Sequence, residues 1–166
     1  MTELPTEQIR DEHRRLMPHL QHVEDAAVGV TSWDHDRARR GLPRIVGFLR
    51  DELAPHASEE ERVLYPAIDR VQGARMTATM TIDHMVIGER IEALESTVER
   101  ALRNWEDDQM VAEVSRQLAA IAAIVLLHFR KEEEVLLPIL DARLTVEEGR
   151  QLFEDMGHGA HEHRHV

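Results

Sequence analysis

The amino-acid sequence predicts an all-α protein: an up-and-down four-helix bundle, built as two repeated helical hairpins, with a short fifth helix at the C-terminus. Three observations lead to this prediction. Aromatic residues make up only 4% of the 166 residues, whereas the helix-favouring residues Ala, Leu, Glu, Arg and Met are abundant. Apolar residues recur at spacings of three and four in four long segments. An eleven-residue pattern in the second segment returns in the fourth.

Each of the four segments carries one apolar stripe that an α-helix would turn towards a core. The stripes consist of Ile9, His13, Leu16, Leu20, Val23 and Ala27; of Leu42, Ile45, Leu49, Leu53, His56, Glu60, Val63 and Ala67; of Met80, His84, Ile87, Ile91, Leu94, Val98, Ala101 and Trp105; and of Val111, Val114, Leu118, Ile121, Val125, His128, Glu132, Val135 and Ile139. The connections between the segments are short or modest, which favours antiparallel neighbours in a bundle.

The C-terminal region predicts a short helix followed by a tail. Thr145 and Glu148 have the spacing of a capping box ahead of an apolar pair, so a fifth helix is expected to begin there. Residues 157–166 are rich in histidine and are expected to form a flexible tail, which either binds divalent metal or is simply solvated. Residues 1–156 are then expected to form a single domain.

Prolines fall inside the predicted helices. Pro18 and Pro55 are expected to kink their helices near a histidine of the stripe, because proline lacks the N–H donor and crowds the preceding turn. Pro66 and Pro138, which end the two copies of the repeat, are expected to bend the helices beyond it.

The composition argues against several classes of function. The chain has 20 Lys and Arg residues against 32 Asp and Glu residues, and the resulting net charge of -12 argues against a nucleic-acid or anionic-membrane surface. The chain has no cysteine, which excludes disulfides, thiolate metal sites and thiol chemistry. No early apolar run resembles a signal peptide, and no uninterrupted apolar stretch reaches the roughly 20 residues needed to span a bilayer. We therefore expect a cytoplasmic protein.

Polar side chains interrupt the stripes at six positions where a core usually has leucine or isoleucine. These six residues are His13, His56, Glu60, His84, His128 and Glu132. Burying an ionised carboxylate costs several kcal/mol unless it is paired with a cation or a metal. The inward faces do not offer enough lysine or arginine for this pairing, and a histidine and a glutamate four residues apart share one helix face. We therefore expect the six side chains to bind metal.

The repeat indicates two metal positions rather than one. HASEEERVLYP at 56–66 and HFRKEEEVLLP at 128–138 both read His-x-x-x-Glu-Glu-x-x-Leu-x-Pro. His13 precedes His56 by 43 residues and His84 precedes His128 by 44, so each half is a hairpin with one lone histidine and one His-x-x-x-Glu motif. Each metal would take the imidazoles of its own hairpin, with the two carboxylates bridging. Imidazole and carboxylate together suit iron, manganese or zinc, and bridging carboxylates suit a pair of redox metals.

With these residues in register, the sequence resembles the hemerythrin-like HHE cation-binding domain from about Thr6 to Leu140. The resemblance implies a four-helix up-and-down bundle and a non-haem centre of two iron ions. In such a centre the four histidines would be terminal ligands, and Glu60 and Glu132 would bridge the ions together with an oxo or hydroxo group.

Two departures from the family pattern limit which functions of the family this chain is expected to share. Oxygen-carrying members have a further histidine one turn after the position of His84, where this chain has Gly88. The two metals would then be nearly symmetric, and a reversible oxygen carrier is disfavoured. The relatives that repair iron centres contain cysteine, which this chain lacks.

The leading functional hypothesis is a di-iron protein that binds or reacts with O2 or a related small oxidant, in oxygen or redox sensing or in oxidant handling. Its small ligand would be O2, peroxide or NO, and no nucleic acid or membrane is expected as a partner. A dry pocket is expected to be lined by Leu16, Leu64, Ile87, Val125 and Leu136. The alternatives are an enzyme that disproportionates peroxide or turns over nitric oxide, iron storage or transfer, and a metal-free bundle used for protein interaction.

The remaining residues of the repeat are assigned to the surface or to packing. Glu59, Glu61, Glu133 and Glu134 are expected to be solvated, with an inward turn of Glu59 or Glu133 as the alternative. Tyr65, which stands where the other copy has Leu137, is expected to pack or to donate a hydrogen bond to the site.

Overall fold

Five helices make up the computed structural model, which describes residues 4–162 and contains no strand within that range. The helices are α1 (Glu7–Gly29), α2 (35–72), α3 (Ala78–Arg103), α4 (Asp108–Asp141) and α5 (Val146–Glu162). α4 packs along both α1 and α3, and α2 packs against α3 and α1. The predicted fold class, a helical bundle of four long helices with a fifth at the C-terminus, is confirmed.

The helices α2 and α4 are interrupted by π turns. α2 consists of His35–Phe48, the π turn Leu49–Leu53, Ala54–Glu59, the π turn Glu60–Leu64, and Tyr65–Gln72, whereas α4 consists of Asp108–Lys131, the π turn Glu132–Leu136, and Leu137–Asp141. A proline follows each π turn by two residues, at Pro55, Pro66 and Pro138. Proline cannot donate to the α-helical ladder and clashes with the preceding turn, so a local change of helix type is expected at these places. In contrast, α1 remains one α-helix from Glu7 to Gly29, with Pro18 inside it. The helix is therefore not interrupted at Pro18, where a kink was predicted.

The π turns change which residues face the core. A π turn brings residue i+5, rather than i+4, back over residue i. Tyr65 and Leu137 each come five residues after a site glutamate, and they are 3% and 0% exposed. Val135, which the α-helical spacing placed on the inward stripe, is 52% exposed. That prediction was wrong for Val135, whereas Val63, which has the same place in the other copy, is 9% exposed because α5 packs against its π turn.

Two apolar clusters form the core, and the predicted site residues lie between them. The larger cluster includes Leu20, Leu49, Leu94 and Leu118, and the smaller one includes Ile9, Leu64, Ile68, Leu140 and Phe153. On each of the four long helices, the site residues have a member of one cluster before them and a member of the other cluster after them. The flanking pairs are Ile9 and Leu16 on α1, Leu53 and Val63 on α2, Met80 and Ile87 on α3, and Val125 and Leu136 on α4. The site is therefore a polar layer across the bundle.

The helix α5 closes one end of the bundle. Its capping box is present, since the backbone N–H of Thr145 donates to Glu148 Oε2 at 2.8 Å and that of Glu148 donates to Thr145 Oγ1 at 3.2 Å. The helix is 17 residues long, and it buries Phe153 and Met156 in the smaller cluster. The side chains of the histidine-rich tail predicted at 157–166 lie outside the described part of the chain, although the helical backbone continues to Glu162.

The hydropathy of α4 follows from its place in the bundle. By length and composition this helix could cross a membrane, and 33% of its most apolar window is buried. Its apolar residues Val114, Leu118, Ile121 and Val125 are fully buried in the larger cluster between α1 and α3. Burial in a core accounts for these residues, so the indication of a membrane span is weak.

Replacing Gly149 by alanine is expected to destabilise the fold. A Cβ atom at Gly149 would lie 2.2 Å from the carbonyl oxygen of Pro5, and a backbone atom cannot rotate away as a side chain can. The expected loss is about 1–3 kcal/mol in the free energy of unfolding, measured by urea denaturation of the metal-free protein. Gly88→Ala is the matched control, because none of the described atoms lies within 4 Å of its Cβ position. This control is expected to be neutral or to gain about 0.5–1 kcal/mol, and equal losses in both variants would contradict the argument.

Candidate metal centre

All six predicted site residues lie together in the polar layer. α1 contributes His13, α2 contributes His56 and Glu60, α3 contributes His84, and α4 contributes His128 and Glu132. Glu60 and Glu132 are fully buried. The histidines are almost as inaccessible, and the side chain of His84 is 6% exposed.

Five of the six residues form two groups that share the carboxylate of Glu60. His13, His56 and Glu60 form one group, and Glu60, His84 and His128 form the other; within each group the candidate ligand atoms lie within 4.8 Å of one another. Each group therefore takes the two histidines of one helical hairpin, which is the pairing that the internal repeat indicated.

Glu60 lies between the two groups. Its Oε1 atom is 2.9 Å from His56 Nε2 and 3.3 Å from His13 Nε2, whereas its Oε2 atom is 3.3 Å from His84 Nε2. One carboxylate oxygen thus faces each hairpin, which is the arrangement that a bridging carboxylate requires.

Glu132 also spans the two groups. Its Oε2 atom is 3.3 Å from His13 Nε2, and its Oε1 atom is 3.4 Å from His128 Nε2. The two carboxylates therefore approach the same pair of positions from α2 and α4.

Three buried polar atoms of this layer lack a hydrogen-bond partner in the described part of the chain, and a bound cation could take the place of that partner. His56 Nε2, Glu60 Oε2 and Glu132 Oε2 are buried and have no hydrogen-bond partner among the described residues. A buried polar atom without a partner costs about 1–3 kcal/mol, and more when it is charged. A cation between the carboxylates would satisfy these atoms, and a set of imidazole and carboxylate donors suits iron, manganese or zinc. The residues therefore fit a pair of metal ions.

Nearby carboxylates raise the pKa values of His13, His56 and His128, which favours the protonated form of these three histidines when no metal is bound. Burial alone would lower the pKa of His13, but the nearby carboxylates of Glu132, Glu133 and Glu60 raise it to about 11. The same balance raises the pKa of His56 to about 9 and that of His128 to about 10. Burial would raise the pKa of Glu60, but the surrounding histidines hold it well below its usual range. Protons thus take the place of a cation in neutralising the layer.

Each of the four histidines points Nε2 at the centre and Nδ1 at a second carboxylate farther out. The Nδ1 distances are 2.8 Å for His13 to Glu133, 3.3 Å for His56 to Glu12, 3.0 Å for His84 to Glu61 and 3.2 Å for His128 to Asp83. A carboxylate at Nδ1 fixes the ring orientation and increases the basicity of Nε2 as a metal ligand. We call Glu12, Glu61, Asp83 and Glu133 the outer carboxylates.

The outer carboxylates follow the two-fold repeat. Glu61 and Glu133 come directly after the two site glutamates, and each holds the lone histidine of the opposite hairpin. Glu12 and Asp83 come directly before the two lone histidines, and each holds the other histidine of its own hairpin. Acidic residues next to the site residues, repeated in both halves of the chain, were the sequence signal for this set.

Glu61 is exposed, as predicted, but it also contacts a site histidine, whereas Glu133 follows the alternative of an inward turn. Their side chains are 41% and 32% exposed. Glu134 is 63% exposed and pairs with Arg130, as expected of a surface residue. Glu59 pairs with Arg62, so it does not turn inward.

Tyr65 distinguishes one group from the other. Its hydroxyl donates a hydrogen bond of 2.7 Å to Glu132 Oε1 and lies 3.2 Å from His84 Nε2 and 3.3 Å from His128 Nε2. Burial and the nearby carboxylates raise the pKa of Tyr65 well above its usual range, so the hydroxyl keeps its proton in the metal-free chain. Leu137 is the counterpart in the other repeat, so only the His84 and His128 group has this donor.

Comparison with known proteins agrees with this site. A family model described as the hemerythrin HHE cation binding domain matches residues 4–140, which contain all six site residues and all four outer carboxylates. No solved structure is significantly similar to the chain.

Several curated relatives are similar to part of the chain, and all three described here are named iron-sulfur cluster repair protein YtfE. The protein of Edwardsiella ictaluri is 33% identical over 89 residues, which cover 49% of this chain and 38% of that protein. The protein of Cronobacter sakazakii is 29% identical over 90 residues, covering 52% and 40%, and that of Salmonella schwarzengrund is 30% identical over 87 residues, covering 51% and 39%. The matched region is thus about two fifths of the length of these relatives.

The stability of the metal-free protein is expected to fall in alkaline solution. The pKa values of His13, His56 and His128 are raised from 6.5 to between about 9 and 11, so their protonation stabilises the fold fully below about pH 6.5. This contribution is lost as the pH rises through the raised pKa values. Urea denaturation between about pH 7 and 10 should show a falling free energy of unfolding for the metal-free protein and a flatter profile for the metal-loaded protein. A metal-free protein that is equally stable across this range would contradict the assignment.

Neutralising an outer carboxylate is expected to weaken metal binding. Glu133→Gln removes the anion at His13 Nδ1, and such changes lower metal affinity about 10- to 100-fold. Competition between the protein and a chelator for Zn²⁺ measures the effect. Glu134→Gln is the matched control, because Glu134 is the next residue and is largely exposed. A control that loses as much affinity as Glu133→Gln would show that net charge, rather than the contact at His13, is responsible.

Proposed function

Because this chain belongs to the hemerythrin HHE cation-binding domain family, we propose that it is a non-haem di-iron protein that binds or reacts with O2 or a related small oxidant, in oxygen or redox sensing or in oxidant handling. The observation that carries this proposal is the position of Glu60 between two pairs of buried histidines. The proposed metal ligands are His13, His56, Glu60, His84, His128 and Glu132, the set predicted from the sequence.

In this proposal the chain holds two metals at fixed positions. His13 and His56 would hold one ion, His84 and His128 would hold the other, and Glu60 and Glu132, which lie between the two pairs of histidines, would contribute carboxylate ligands. Iron bound in this way supplies electron transfer and open coordination positions for a small ligand. The outer carboxylates keep the imidazole rings in place, which limits the rearrangement needed when the charge on the metals changes.

The surroundings of the site favour a small ligand. Leu16, Ile87 and Val125 on one side and Leu64 and Leu136 on the other are all buried, and they keep water away from the polar layer. The net charge of -12 favours neutral or cationic species over anions in the surroundings of the protein. These features support O2, peroxide or NO as the ligand, and a cytoplasmic location is proposed with them.

Two observations favour a second candidate, an enzyme that disproportionates peroxide or turns over nitric oxide. Gly88 leaves no side chain one turn after His84, and the hydroxyl of Tyr65 lies beside the same histidine. A metal position that no protein side chain occupies would be open to a substrate, and a nearby hydroxyl could transfer a proton to it. These two features suit catalytic turnover better than the storage of a bound molecule. The curated relatives are named for iron-sulfur cluster repair, but their match covers two fifths of their length, and this chain has no cysteine. Their activity is therefore not proposed for this chain.

Iron loading tests the di-iron centre. Anaerobic addition of Fe(II) followed by air is expected to leave about two iron ions per chain and a charge-transfer absorption near the ultraviolet edge of the visible. Glu60→Ala and His128→Ala are expected to lose both, whereas Glu134→Ala should keep them because it changes only an exposed glutamate. Loosely bound iron without this absorption in the unmodified protein would overturn the proposal.

Addition of peroxide to the loaded protein separates the two candidates. Catalytic evolution of O2 that disappears in the Glu60→Ala and His128→Ala variants would favour the enzyme. Bleaching of the absorption by a stoichiometric amount of peroxide, without turnover, would favour binding or sensing.

A further inference from the structure

A cleft of about 340 Å³ lies between α2 and α3, next to the proposed metal centre. Ala54, Ala57 and Ser58 line it from α2, and Gly88 lines it from α3. All four residues are small, and the larger apolar side chains of Met85, Ile87 and Ile91 complete the apolar lining of the cleft. A Cβ atom at Gly88 would meet none of the described atoms within 4 Å, which shows that the missing side chain leaves real space.

The cleft reaches the metal centre through one contact. Glu61 and His84 both line the cleft, and Glu61 Oε1 is 3.0 Å from His84 Nδ1. The opposite nitrogen of His84 faces Glu60 in the polar layer. A molecule in the cleft would therefore lie against His84, a proposed metal ligand, and against Glu61, which orients it.

The lining of the cleft determines which molecules suit it. Apart from His84, its polar residues are Ser58, Glu61 and Thr81, and the remaining walls are apolar. Glu61 and the overall charge of -12 disfavour an anion. Ligand pockets hold about 300–1,000 Å³, and a water molecule takes about 30 Å³, so the cleft is larger than O2, NO or peroxide require. The best match is a small, neutral, largely apolar organic molecule of the size of one aromatic ring.

We propose that this cleft is a second binding site, for a small neutral apolar organic molecule, and that its occupancy alters the metal centre through Glu61 and His84. The coupling between the two sites rests on the proposed function, whereas binding in the cleft does not depend on metal. Coupling is reciprocal: if metal binding changes the affinity for the organic molecule, then the organic molecule changes the affinity for metal by the same factor.

Benzyl alcohol is a suitable probe, because it carries one aromatic ring and one uncharged polar group. Saturable binding to the protein, measured by nuclear magnetic resonance or calorimetry, is expected. Gly88→Leu should weaken binding by at least about tenfold, because the new side chain fills the cleft. Benzoate, with the same ring and a negative charge, should also bind at least about tenfold more weakly.

Two further variants keep this test independent of folding. Ala123→Leu places the same side chain on an exposed position of α4, and it should bind benzyl alcohol as the unmodified protein does. Ala57→Leu fills the cleft from α2 and should reproduce the loss seen with Gly88→Leu. Undiminished binding by both cleft variants, equal binding of benzoate, or no saturable binding would overturn the proposal.

The coupling has its own readout in the absorption of the iron-loaded protein. Saturation with benzyl alcohol is expected to shift the charge-transfer band in the unmodified protein and to leave it unchanged in Gly88→Leu. Binding without any shift would overturn the coupling. A protein that takes up no metal but still binds benzyl alcohol would contradict the proposed function and support the cleft as a site.

Discussion

The full burial of two carboxylates, Glu60 and Glu132, is the constraint on which the rest of this structure depends. An isolated buried charge costs several kcal/mol, so cationic groups must surround it on every side. Histidines from four different helices surround the two carboxylates, and the raised pKa values of His13, His56 and His128 favour their protonated form. The apolar core is consequently divided into two clusters, one on each side of the polar layer.

The outer carboxylates extend this charge balance towards the surface. A protonated or metal-bound histidine is positive, and each one is held at Nδ1 by an anion that is at least partly exposed. Three of these anions have cationic partners of their own, since Arg10 pairs with Glu133, Lys131 pairs with Asp83 and Arg15 pairs with Glu12. Charges of alternating sign thus lead from the buried carboxylates to solvent. The rings are positioned before any metal arrives, so metal binding needs only the loss of protons.

The features that depend on α-helical periodicity could be predicted from the sequence. The prediction of inward-facing residues failed where the helix changes from α to π. The six site residues were recognisable because they interrupt regular stripes, and the pairing by hairpins followed from the repeat. The contact of Tyr65 with Glu132 was left undecided, because the π turn before Pro66 brings the fifth residue after Glu60 into the core. Val135 was misplaced because its burial depends on a helix packing over it, as α5 packs over its counterpart Val63, and the repeat does not predict that packing. The contacts of the outer carboxylates join separate helices, so no local pattern could establish them.

The two halves of the site are related by the repeat, but they are not equivalent. Tyr65 stands opposite Leu137, and Gly88 corresponds to Met17, which comes one turn after the lone histidine of the other hairpin. Both departures lie at the group that contains His84: one adds a hydroxyl inside the layer, and the other opens a cleft behind the ring. A repeat alone would give two metals of the same reactivity. Because Tyr65 and the cleft both adjoin His84, the two proposed metals would have different surroundings, and we expect them to differ in reactivity.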